Sequence, residues 1–433
     1  MTLTEPLERQ LDSFDPRQRR EALSVLWREA QRNGGSLPRP NGAINLHAHT
    51  FFSYNVYGYS PSKYAWLARK AGLGMAGIVD SDVLDGLEEF LEAGRLIGLK
   101  TCVSIECRVF VPEFAGRVIN SPGEPGVAYF MGVGFTRNAQ HPFLTKVRSA
   151  AEKRIHNMLA LVNGYLKPVQ LDYEKDVAPL MPNGNATERH LCEAYERKAA
   201  QVFPDPVKLA AYWREKLGSA PPAGVQLQSL IRAKTMKMGG VGYVQPDSGS
   251  FPTMAEMCSF ALELGAIPTL AWLDGTSEGE ASIEELFEVA AATGTAALNI
   301  IPDRNYRRGV KDQKLQNLYD VVALAERYDF PVIIGTEMNA PGNKFVDSFG
   351  APELDPVLPV FHKGANIIYA HSVLQRRAGM GYLSPWARKT FASTAEKNAF
   401  FERLGRELHP SSEEKLGDLT PETVPEEILA KTQ

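Results

Sequence analysis

The chain has 433 residues, of which 44% are apolar and 23% charged, and its net charge is −4. That is an ordinary globular composition, with no charge surplus of the kind that nucleic acid or a membrane surface selects. No apolar run approaches the about 18 residues of a membrane-spanning helix, residues 1–6 lack a signal peptide's basic start and apolar stretch, and Cys102, Cys107, Cys192 and Cys258 form no CxxC pair. The expectation is a cytoplasmic protein with reduced, buried thiols and a small-molecule substrate. Neither nucleic acid nor membrane is expected as a partner, and the sequence leaves the oligomeric state open.

Residues 1–40 read as an N-terminal helical segment. Asp15 caps a helix that starts at Pro16, carries an apolar stripe (Ala22, Leu23, Val25, Leu26, Ala30) and stops at Gly34-Gly35. Strands are predicted at Ile44–His47, Gly74–Val79, Lys100–Glu106 and Val127–Val133. Helices between them open at Ser60-Pro61-Ser62 and cover Leu84–Ile97. Residues 138–232 change character: Phe143–Leu166, Thr187–Val202 and Pro206–Leu217 are helical by pattern, with no clear strand. This reads as a helical insert. Alternation resumes with helix Thr253–Leu264, strand Ala266–Leu270, helix Ile283–Ala292, strand Ala296–Ile301, helix Lys314–Tyr328 and strand Pro331–Thr336. Residues 41–137 and 233–345 thus form one α/β unit with a parallel sheet. Residues 346–433 are a less regular C-terminal extension, with a strand-like Ala365–Ala370 and a charged tail expected in solvent.

The chemistry concentrates where strands end, as it does in βα barrels. His47 and His49 stand two apart on a strand, so their imidazoles share a face and can reach one metal ion. The next strand ends in Asp80-Ser81-Asp82, the third in Glu106, and a late one in Glu337-Met338-Asn339. Two His and two Glu offer neutral and anionic donors on one rim, suited to a divalent transition metal. Asp80 is either a general base or a hydrogen-bond partner of a ligand His. Arg108 follows Glu106 by two and shares its face. Arg304, Arg307 and Arg308 follow another strand end and can clamp an anion. Phe51, Phe52, Tyr54, Tyr57 and Tyr59 crowd the first loop as candidate pocket residues. His371 follows the strand-like Ala365–Ala370 and is a further candidate.

His47-Ala-His49-Thr50, Ile78-Val-Asp80-Ser-Asp82, Ser104-Ile-Glu106 and Gly335-Thr-Glu337-Met-Asn339 resemble, in order, the four motifs of the polymerase-and-histidinol-phosphatase (PHP) superfamily. Lys146–Leu161 and Thr187–Ala194 resemble the helical insert of its bacterial phosphoesterases. The resemblance spans about residues 42–345 and implies a distorted seven-stranded βα barrel. It also implies phosphoester hydrolysis with up to three metal ions. The departures are specific. Where the family has further ligands, this chain has Tyr54, Ser81, Tyr129 and Trp272, and its last motif is Glu337-Met-Asn339. What survives resembles the first metal position: His47, His49, Glu106 and Glu337. Trp has no acceptor, and neutral Tyr or Ser is a poor ligand. The expectation is therefore one ion per chain, Zn, Mn or Fe. His190, in the insert, also survives as a catalytic candidate, with Arg108, Arg304 and Tyr54 as substrate-binding candidates. The resulting reading is a metal-dependent hydrolase with a reduced site, acting on a phosphoester. The alternatives are a decayed binding or scaffold protein, and a hydrolase of non-phosphate substrates.

Overall fold

The computed structural model describes residues 4–32, 37–245, 249–307 and 312–432. Helices α1 (Thr4–Gln10) and α2 (Pro16–Arg32) come first, with α2 opening at the expected proline. The Gly34-Gly35 stop lies outside the described residues. Next come β1 (Ile44–Ala48), α3 (Pro61–Lys70), β2 (Met75–Ser81), α4 (Leu87–Ile97), β3 (Lys100–Phe110) and β4 (Val127–Val133). Ser60 caps α3 by accepting from the Lys63 N–H at 3.0 Å, and Pro61 occupies the first helical position.

Helices α5 (Pro142–Tyr165), α6 (Glu188–Val202), α7 (Pro206–Leu217) and α8 (Val225–Thr235) fill the stretch read as an insert. No strand interrupts residues 138–232 among the described residues. Their apolar faces bury Leu159, Tyr195, Trp213 and Ile231 in a core separate from the main one. After them come α9 (Met254–Glu263), β5 (Ile267–Trp272), α10 (Glu278–Ala281), α11 (Ile283–Thr293), β6 (Ala297–Ile300), α12 (Asp303–Tyr306), α13 (Asp312–Arg327) and β7 (Val332–Ile334).

The seven strands form one sheet in chain order. β4 runs antiparallel to β3 and β5, and the other neighbours are parallel. β3 continues past its predicted end at Glu106 to Phe110, because that half pairs with β4, Arg108 opposite Tyr129. Beyond β7 the chain returns to β1. The N–H groups of Thr336 and Glu337 both donate to the His47 carbonyl at 3.1 and 2.7 Å, and the His49 N–H donates to the Glu337 carbonyl at 2.8 Å. The sheet is thereby a nearly closed barrel. Gly335 makes that approach possible, since a Cβ there would collide with His47.

The C-terminal extension departs from expectation. Ala365–Ala370 lies inside α14 (Leu358–Ala378), not in a strand. Residues 367–374 are all buried, so the helix reads as an unbroken run, and periodicity cannot separate that from a buried strand. α14 lies directly on β7: a Cβ at Gly364 would meet the Val332 carbonyl. Helices α15 (Pro385–Thr390), α16 (Thr394–Glu407) and α17 (Pro425–Ala430) complete the chain. The charged tail is largely exposed, as expected, but it is anchored at a few buried positions. Leu416 and Ile428 join the main core, and Glu413 is buried where it accepts from the Tyr369 hydroxyl at 2.8 Å.

Candidate metal centre

Along β1, Leu46 and Ala48 enter the hydrophobic core, while His47, and His49 just past the strand end, are not part of that core. Their ring centroids are 5.5 Å apart, and both are almost wholly buried. Each ring is held at Nδ1. His47 Nδ1 lies 3.0 Å from Asn299 Oδ1, an atom that only accepts. His49 Nδ1 lies 3.0 Å from Ser53 Oγ, whose own proton goes to Asp80 Oδ1 at 2.7 Å. Both Nδ1 atoms therefore carry the proton, and both Nε2 atoms present a lone pair. Neither Nε2 has a hydrogen-bond partner among the described residues.

Glu106, on β3, faces those lone pairs. Its Oε2 is 3.6 Å from His47 Nε2 and its Oε1 3.8 Å from His49 Nε2. The donor atoms of His47, His49 and Glu106 lie within 4.8 Å of one another. Burial keeps both imidazoles neutral. His47 is lowered by burial, against an opposing pull from Glu337, and His49 is lowered further by burial and by His47. Burial, then Glu337 and Asp82, push Glu106 up to about 8. Two uncharged nitrogen donors and a carboxylate with no Lys or Arg ion pair among the described residues fit a divalent cation.

Glu337 stands beside this group, outside the 4.8 Å cluster. Arg304 Nη2 donates to both of its carboxylate oxygens, at 3.1 and 2.9 Å. Glu337 and Met338 adopt left-handed φ values of 64° and 56°. Such angles are uncommon for residues with a Cβ and mark local strain at the rim.

Asp80 is buried and does not line the cavity. It accepts from the Thr50 N–H (2.8 Å), the Thr50 hydroxyl (2.7 Å) and Ser53. Burial outweighs those bonds and pushes it up to about 6. Its geometry is that of an orienter, acting on His49 through Ser53. His190 is likewise absent from the cavity wall. Its Nδ1 accepts from the Thr187 N–H at 3.1 Å in a helix cap, and its ring packs against Tyr54 with centroids 5.1 Å apart. Thr187, Glu188 and Arg189 face the cavity instead, because the cap turns His190 inward.

The cavity measures ≈ 630 Å³ and spans the barrel mouth and the insert. His49, Glu106, Glu337, Arg304, Arg307, Arg108, Tyr54 and Tyr129 all reach it. Arg108 pairs with Glu124 at 2.9 Å and stacks on Phe251, and Arg307 pairs with Asp303. Burial, then Glu193, push the Tyr54 phenol up to about 12, so it stays protonated. Arg308 lies outside the described residues. Trp272 belongs to the barrel core, and Phe51 and Phe52 form a small cluster with Val83. His371 does not approach the site: it is buried on α14, where its Nδ1 accepts from the Tyr382 N–H at 3.0 Å. Sequence reasoning missed Asn299, Ser53, Lys237 and the insert cations Arg154, Arg189 and Arg232. A lone Asn in the apolar strand Ala297–Ile300 was a usable signal. The cations on amphipathic helices gave none.

No family model matches the chain, and no curated protein matches it. Among solved structures, an amidohydrolase from Chromobacterium violaceum, determined with bound sulfate and no metal, is similar. The two share 16% identity over 73% of this chain and 96% of that one, with a TM-score of 0.51. A protein from Bifidobacterium adolescentis described as a "putative metal-dependent phosphoesterase" aligns at 17% identity, over 75% of this chain and 98% of that one, with a TM-score of 0.48. The amidohydrolase shares the fold.

Proposed function

We propose that the chain is a PHP-type, metal-dependent hydrolase acting on a small anionic substrate, with a phosphoester the first choice. One observation carries this. Two buried imidazole Nε2 atoms have no hydrogen-bond partner among the described residues and face the Glu106 carboxylate. His47, His49 and Glu106 would hold a divalent transition metal, Zn, Mn or Fe. Bound there, the ion supplies a Lewis acid and lowers the pKa of a water. The chain's own side chains do the rest. Asn299 and Ser53 fix the imidazole tautomers, and Asp80 positions Ser53. Arg304, Arg108, Arg154 and Arg232 line the cavity and can bind an anionic group, for which guanidinium and phosphate geometries match. Tyr54 and Tyr129, whose phenols burial keeps protonated, can donate to it.

Elemental analysis of purified protein, with a phosphoester and carboxylic-ester screen in Mn, Fe and Zn, tests this reading. The expected result is close to one ion per chain and metal-dependent phosphate release that His47→Ala abolishes. Hydrolysis of esters alone would favour a non-phosphate substrate. Bound metal with no hydrolysis would favour a decayed binding protein.

A further inference from the structure

We propose that Arg304 keeps Glu337 out of the metal's ligand set and serves as a resident cation beside it. The centre is then a three-residue site, His47, His49 and Glu106, for a single ion. This rests on the metal-centre reading above and goes beyond it.

Glu337 has the chemistry of a ligand and a place next to the donors, since its N–H is bonded to the His47 carbonyl at 2.7 Å. Yet its carboxylate is not within the converging group. Both oxygens are taken by Arg304 Nη2. The Glu337 side chain is only 10% exposed, so little water competes for it. Glu106 and Glu337 put two carboxylates on one cavity, and Arg304, paired with Glu337 at 2.9 Å, offsets the charge of the second. A guanidinium does so at every working pH. It has no acceptor and cannot itself be a ligand, but its charge opposes a second divalent ion at that position. Its remaining N–H groups have no partner among the described residues, and Arg304 lines the cavity. They are left for a substrate anion.

Removing the Arg304 charge frees Glu337 and turns the site into a four-donor set with two carboxylates. Zinc titration against a competing chelator, with metal content measured after desalting and folding followed by circular dichroism, reads this out. Wild type should bind one zinc. Glu337→Gln should change the affinity by less than about threefold, whereas Glu106→Gln should lose the ion. Arg304→Gln should bind zinc about tenfold more tightly or take up a second ion, through Coulomb attraction to the freed carboxylate. The double variant Arg304→Gln with Glu337→Gln should lose that gain.

Loss of zinc in Glu337→Gln comparable to that in Glu106→Gln would overturn the proposal while leaving the metal centre intact. So would an Arg304→Gln protein with wild-type affinity and stoichiometry. A wild type that holds no zinc would defeat the metal-centre reading itself. If Arg304→Gln fails to fold, Glu337→Gln decides alone.

Discussion

At the scale of single residues, the donor set depends on what stands behind it. An imidazole has two nitrogens, and the bond made by one decides whether the other is a lone pair or a donor. Asn299 makes that decision for His47, and Ser53, anchored by Asp80, makes it for His49. Asn299→Leu should therefore lower metal affinity by about 10–100-fold, the usual cost of losing a ligand's supporting partner. Calorimetric titration checks this, and unchanged affinity would show that packing alone orients His47. The same logic explains what was legible. His47, His49 and Glu106 carry ligand chemistry at predicted strand ends and converge, whereas Glu337 carries the same chemistry but pairs with Arg304. Asn299 and Ser53 act only through contacts across 252 and 4 residues of chain, and spacing does not reveal the longer one. His190 carried a signal, but local capping chemistry had a stronger claim on its ring.

At the scale of elements, the alternation of strands and helices was visible because parallel strands buried on both faces read as short apolar runs between amphipathic helices. What stayed hidden was direction. Nothing in Val127–Val133 says that it runs antiparallel to its neighbours, since its pairing is set by the loops on either side. The insert shows how charge holds an element in place. Burial alone would raise Glu188, but Arg232 at 2.7 Å and Lys237 at 2.8 Å outweigh it and hold the carboxyl at about 2. A depressed carboxyl stabilises the fold above its unfolded pKa, and that stability is lost as pH falls through the folded value. Here the window runs from about 4.5 down to about 2. Glu188→Gln should be less stable than wild type at pH 7 by on the order of 3 kcal/mol. The gap should narrow at pH 3, in urea unfolding at both pH values. An equal gap at both would mean that packing, not charge, supplies the difference.

At the scale of the whole molecule, barrel and insert meet at one cavity, and they bring different things to it. The barrel supplies the metal donors and Arg304, the insert supplies Arg154, Arg189 and Arg232, and Lys237 follows just after the insert. Arg154 is the most telling of these. It has no hydrogen bond or ion pair among the described residues, and it shares the Phe251 ring with Arg108, at 5.1 and 4.4 Å from the centroid. Burial, then the neighbouring Arg108, lower it to about 10. Two guanidiniums held against one ring repel each other, and an anion between them relieves that repulsion. Inorganic phosphate should bind the protein, and Arg154→Gln should weaken that binding by about tenfold, the scale of one charge-assisted contact. Raising the salt concentration should weaken it further, as screening requires. Metal content should not change, because Arg154 belongs to the insert and touches none of the metal donors. Calorimetry with phosphate, alongside elemental analysis, measures both. Were Arg154→Gln to lose metal as well as phosphate, the two walls of the cavity would not be separable, and the assignment of anion binding to the insert would fail.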